Sequence, residues 1–152
     1  MSPTTQQTTQ PVTGPTATMR TMTFSQMVER VRYDGAYPTR ERAEAVIHAV
    51  LAALGRRLTG EERVELAARL PEEAARTFTA QIPEPERLTG WEFVKELAGR
   101  TGGTAATTRW DVGTVLSLLA RLAGDELLDR VLAQLPAGYA LLFGRAELTQ
   151  AA

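Results

Sequence analysis

Cysteine is absent from the 152 residues, which excludes disulfides, thiolate catalysis and cysteine metal sites. Basic excess is also missing. The formal net charge is −1, and residues 1 to 23 hold a single charge, Arg20, leaving 16 basic against 18 acidic groups in the rest of the chain. A domain that tracks a phosphate backbone usually carries a clear positive surplus, so nucleic-acid binding is not indicated. Apolar runs are short and broken by charge, so no membrane span is expected. The N-terminus lacks the basic and apolar regions of a secretory signal, which makes a cytoplasmic home the default expectation. No segment alternates apolar and polar residues with period two, which argues against a β-sheet.

What is present is ordinary for a globular chain, with 43% hydrophobic and 23% charged residues. Sixteen of the 17 basic residues are arginine and alanine is abundant, a pattern of GC-rich coding more than of function. Residues 1–22 are mainly Thr, Gln, Pro and Ser and cannot bury enough surface to offset their ordering entropy, so a disordered tail is expected there.

Helical signals follow without interruption. Thr23-Phe-Ser-Gln26 is a capping box, and Phe24, Met27, Val28 and Val31 recur behind it at helical spacing. Asp34-Gly35 closes that helix, and Pro38-Thr39 opens a second with the stripe Val46, Ile47, Val50, Leu51 and Leu54. Thr59-Gly-Glu-Glu62 reads as another capping box, heading a helix with Val64, Leu66 and Leu70. Pro71 suits the first position of a fourth helix, where its missing N–H costs nothing. Ile82-Pro-Glu-Pro-Glu86 cannot continue a helix and is the expected linker, residues 83–88.

The plan then recurs. Thr89-Gly-Trp-Glu92 is a capping box, Gly99 to Thr104 a turn, and a long helix runs through Val115, Leu116, Leu118 and Leu119 to Gly124. Asp125 is expected to cap a short helix, and Pro136 to begin the last one. Leu70-Pro71 and Leu135-Pro136 are each followed by Ala five and Phe eight positions after the Leu, and the copies lie 65 residues apart. The expected architecture is therefore an all-α helical bundle of about eight helices, built from two similar four-helix units, 23–82 and 89–148, in one compact domain. The copies differ in polarity: residues 24–82 hold 18 charged side chains and residues 90–148 hold 13. The more apolar second unit is thus either the centre of the fold or the donor of a partner surface.

The order of these features resembles the bacterial family known as domain of unknown function 2267. The residues that carry it are Phe24, Gly35, Ala43, Val50, Leu54, the turn Arg57-Leu-Thr-Gly-Glu61, and Leu70-Pro71. In the second unit they are Phe93, Leu97, Gly102, Leu118, Arg121, Gly124 and Leu135-Pro136. Trp110, Asp111 and Gly113 interrupt the Ala-rich pattern there, and the turn reads Arg-Leu-Ala-Gly-Asp. The resemblance implies a duplicated all-helical fold and brings no reaction with it.

No catalytic set is visible. His48, the lone histidine, lies off its helix's apolar stripe and has neither nucleophile nor co-ligands in the sequence around it. The acidic groups at Glu61, Glu62 and Glu65, at Glu72 and Glu73, and at Asp125, Glu126 and Asp129 sit near helix starts, where negative charge is favoured. Gly99-Arg-Thr-Gly-Gly-Thr104 lacks the Lys-Ser/Thr end of a phosphate loop, though Thr108 and Arg109 beyond it are candidates to touch an anion. No metal or cofactor is expected.

The best polar contact patch is Arg30, Arg32, Tyr33, Tyr37, Arg40 and Arg42, since Arg and Tyr are favoured at partner interfaces. The first functional reading is a non-enzymatic interaction or scaffold module that binds a protein partner or self-associates through its second unit. The alternative is a small-molecule binder or enzyme with a pocket between the units lined by Trp91, Phe93, Trp110, Tyr139 and Phe143.

Overall fold

A computed structural model describes residues 22–145, so the expected tail, 1–22, lies outside it except for Met22. The elements in order are α1 (Phe24–Gly35), α2 (Arg40–Gly55), α3 (Gly60–Ala68), α4 (Glu72–Thr79), α5 (Gly90–Thr101), α6 (Ala105–Ala123), α7 (Asp125–Ala133) and α8 (Tyr139–Leu142). The described residues form an all-α bundle of eight helices and contain no strand.

Helices α2 and α6 touch and form its centre. α1 packs on α2 and crosses to α6, while α5 packs on α6 and crosses to α2. α4 lies against α2, α8 against α6, and α3 against α7. Val46, Ile47, Val50, Leu51 and Leu54 of α2 are buried, and so are Val112, Val115, Leu116, Leu118 and Leu119 of α6. They belong to one continuous apolar cluster that draws on helices from both ends of the chain. The thick apolar runs of α6 are therefore covered by this chain's own helices.

Several helix ends differ from expectation, each for a physical reason. The boxes at Thr23 and Thr89 form with both reciprocal bonds, as does an unforeseen one between Thr104 and Thr107. The box expected at Thr59 does not form. Its backbone N–H donates instead to Gln134 Oε1 at 2.8 Å, its carbonyl accepts from Gln134 Nε2 at 3.2 Å, and Glu62 turns to Arg130 and Gln134. A tertiary partner thus replaces the local cap. Ala36 rather than a glycine takes the left-handed turn after α1, with φ 56°. Gly124, not Asp125, is the N-cap of α7. The long helix passes through Trp110, Asp111 and Gly113 without a break, and Val64 of α3 faces solvent.

The two Leu-Pro segments end differently. Leu70, Phe78, Leu135 and Phe143 are all buried. Pro71 is the N-cap of α4 instead of its first helical residue, whereas Pro136 precedes a turn and α8 starts only after Gly138 at φ 99°. That turn meets the start of α5. A Cβ on Gly90 would lie 2.6 Å from the Gly138 carbonyl group, so only glycine permits the approach. Gly90 N–H donates to Ala137 O at 2.8 Å and Tyr139 Oη to Leu88 O at 2.9 Å.

In the first half an arginine does the corresponding work. The Arg63 guanidinium donates to the carbonyls of Gly55, Leu58 (2.9 Å) and Gln81 (2.6 Å) and lies 5.3 Å from the Phe78 ring centroid. Carbonyls at helix ends lack intrahelical donors and carry the negative pole, so one cation serves the ends of α2 and α4 together.

Candidate functional site

Two concavities flank α6 on different sides. The first is a shallow groove of about 550 Å³ along the face Trp110, Gly113, Thr114, Ser117 and Arg121. These positions follow helical spacing, and their small residues make a low floor. Leu141 and Leu142 of α8 form one wall, and Arg30 and Asp34 of α1 the other. A second hollow beyond Ser117 and Arg121, lined also by Leu128, Phe143 and Arg145, shares those two residues and Gly144 and so extends the groove.

The Trp110 indole N–H donates to Gly35 O at 3.0 Å, satisfying a carbonyl in the last turn of α1. That bond tethers the ring, yet 56% of the residue remains exposed, beside Leu141 at 53%. Arg30 and Arg121 approach Asp34 at 3.2 and 3.6 Å, while Arg109 forms no ion pair among the described residues. Three arginines against one carboxylate make the groove basic on a chain whose net charge is slightly negative.

The second concavity is a narrower cleft of about 270 Å³ between α2, α5 and α6. Its apolar side is Val46, Ala49, Val50 and Leu97; its polar side is Arg42, Asp111 and the threonines at the start of α6. Asp111 accepts a hydrogen bond from Tyr37 Oη at 2.6 Å, with Arg42 Nη2 3.8 Å from its other oxygen. Burial, and then the bond to Asp111, push the Tyr37 phenol well above its ordinary range. Burial does the same to Tyr139.

The structure disperses both candidate residue sets. Arg32 and Arg40 converge on Glu29, at 3.1 and 2.5 Å, and hold its carboxyl below the ordinary range, Arg40 contributing most. Tyr33 is exposed, Arg30 faces the groove, and Tyr37 and Arg42 turn to Asp111. Of the aromatic set, Phe93 and Tyr139 meet edge to face at 5.4 Å in the core, and Phe143 is buried near α6. Trp91 lies exposed with Lys95 5.9 Å from its ring. Only Trp110 and Phe143 border the groove, in adjoining hollows.

His48 sits at the boundary, its Nδ1 2.7 Å from Thr77 Oγ1, its Nε2 3.5 Å from Glu73 and its ring 5.6 Å from Phe24. No group of three or more metal-binding side chains occurs among the described residues, and none of their helices is long and apolar enough to cross a membrane. Thr108 and Arg109, neighbours in sequence, diverge to the cleft and the groove. Sequence reading missed Leu141, Arg109 and Arg121 as a set. The small-residue face of α6 was the available signal, and it was hidden among leucines.

An all-α helical bundle with an open, basic groove defines the class of this molecule. The chain belongs to the family described as an uncharacterized conserved protein (DUF2267), whose model matches residues 24–142. A comparison with curated proteins returned no match.

Proposed function

We propose that this protein is a non-enzymatic interaction module whose groove along α6 receives an acidic segment of a protein partner anchored by an apolar side chain. One observation carries the reading: Trp110 is tethered through its indole N–H to Gly35 O, yet keeps an open face beside exposed Leu141 and three arginines. Tryptophan and arginine are the side chains that most often carry binding energy at interfaces, and a tethered ring loses little entropy on contact. Basic walls favour an acidic occupant by charge complementarity. A scaffold role in a bacterial cytoplasm fits the cysteine-free composition, and the repeated Leu-Pro and Thr-cap pattern supports an origin by duplication of one four-helix unit. The partner is another protein or a second copy of this chain.

The test uses the full chain with two fluorescein-labelled amphipathic peptides, one bearing Glu and Leu, the other Lys and Leu. The Glu peptide is expected to bind, more weakly as salt rises, and Trp110→Ala to lose about thirtyfold in affinity or more, as hot-spot truncations do. Equal binding of both peptides, or an unchanged affinity in a Trp110→Ala variant that melts like the parent, would overturn the reading. Sedimentation distinguishes self-association from a foreign partner.

A further inference from the structure

The cleft between α2, α5 and α6 lies apart from the groove, and its polar groups are underused. Thr108 is only 3% exposed, and its hydroxyl makes no hydrogen bond among the described residues, so its donor and acceptor stay available on the little surface it keeps. The residue lines the cleft. Gly103 leaves the hydroxyl uncovered, since a Cβ there would stand 3.1 Å from Thr108 Oγ1. Arg42 and Asp111 line the same space. At 3.8 Å they attract without a hydrogen bond, so the guanidinium keeps its donors, and the carboxylate oxygen not bonded to Tyr37 keeps its lone pairs.

We infer that the cleft is a binding site for a free α-amino acid with a small branched aliphatic side chain. The ligand's carboxylate takes Arg42 and the Thr108 hydroxyl, its ammonium takes Asp111, and its side chain lies on Val46, Val50 and Leu97. Charge decides the class. A simple anion meets the Asp111 carboxylate and a simple cation meets Arg42, whereas a zwitterion complements both. Size agrees, because about 270 Å³ falls below the roughly 300–1,000 Å³ that holds drug-sized ligands. The bond from Tyr37, itself buried, anchors Asp111 at the cleft wall.

The experiment is a titration of the ¹⁵N-labelled full chain with L-valine and L-leucine, followed by amide shifts, with isobutyrate and isobutylamine as half-ligands. Saturable shifts at residues of α2, α5 and the start of α6 are expected with the amino acids, and binding at least about tenfold weaker with either half. Thr108→Val keeps the shape of the side chain and should weaken binding about three- to tenfold, the worth of one hydrogen bond. Arg42→Ala, at an exposed side chain without hydrogen bonds, should weaken it further while the melting temperature stays at the parent's. No saturation by about 10 mM, or either half-ligand binding as well as valine, would overturn the assignment. So would full affinity in both variants. Shifts confined to the Trp110 groove would also refute it, and loss of peptide binding at the groove would leave this site untouched.

Discussion

Four helices precede the linker and four follow it among the described residues, and the two sets are closed by opposite chemistry. In the first half a side chain does the closing: Arg63 reaches helix-end carbonyls of α2 and α4 and lies over Phe78. In the second half the backbone does it, through the contact of Gly90 with Gly138 and the bond from Tyr139 to Leu88. The difference matches the charge content, 18 charged side chains in residues 24–82 against 13 in residues 90–148. A helix end needs its carbonyls satisfied and its last apolar residue buried. A cation can meet the first need across a gap, whereas glycine meets it by removing the gap.

Both closures depend most on their buried phenylalanines. Phe78→Ala and Phe143→Ala should each cost about 3–5 kcal/mol in urea unfolding, as truncations of buried aromatics do. Phe78 is expected at the upper end because Arg63 loses its ring as well. A cost below about 1 kcal/mol for either would remove the closing role from that segment.

Arg63→Met should cost about 2–3 kcal/mol, since a charged donor leaves several part-buried carbonyls without partners. Gly90→Ala, its counterpart, should cost about 1–3 kcal/mol from overpacking against Gly138. Burial already pulls the Arg63 guanidinium's proton affinity down. If Arg63→Met proved stabilising instead, its desolvation would outweigh its bonds, and the two closures would not be equivalent.

The smallest effect is expected where the halves meet through charge. Arg130 of α7 donates to Glu65 of α3 at 2.8 and 3.1 Å, and that bond holds the Glu65 carboxyl below its ordinary value of 4.5. A depressed carboxyl stabilises the fold at pH above its unfolded value, and the gain disappears as pH falls through the lower folded value. Glu65→Gln should therefore melt slightly below the parent near neutrality and coincide with it in acid. A gap that persisted at about pH 3 would assign the loss to shape, not charge.

Much of the scaffold was legible because its signals are local. A threonine and the residue three positions on are one helical turn apart, so the boxes at Thr23 and Thr89 form wherever that turn forms. The box at Thr59 failed for a reason 75 residues away, Gln134. Tyr37, read as a surface contact, became the buried partner of Asp111 for the same kind of reason. Neither concavity was legible. Arg30, Trp110 and Leu141 come from three helices, and nothing in their spacing announces that they share a groove.

Local signals alone set the helices, the capping boxes at Thr23 and Thr89 and the stripes that face the core, because hydrogen bonds and apolar periodicity along a helix span three or four residues. The tertiary structure alone decided which carbonyl the Trp110 indole caps, which carbonyls Arg63 serves, and why Thr108 is left with a free hydroxyl in a cleft. Those outcomes depend on distances between helices, and such distances follow from how all the side chains pack at once.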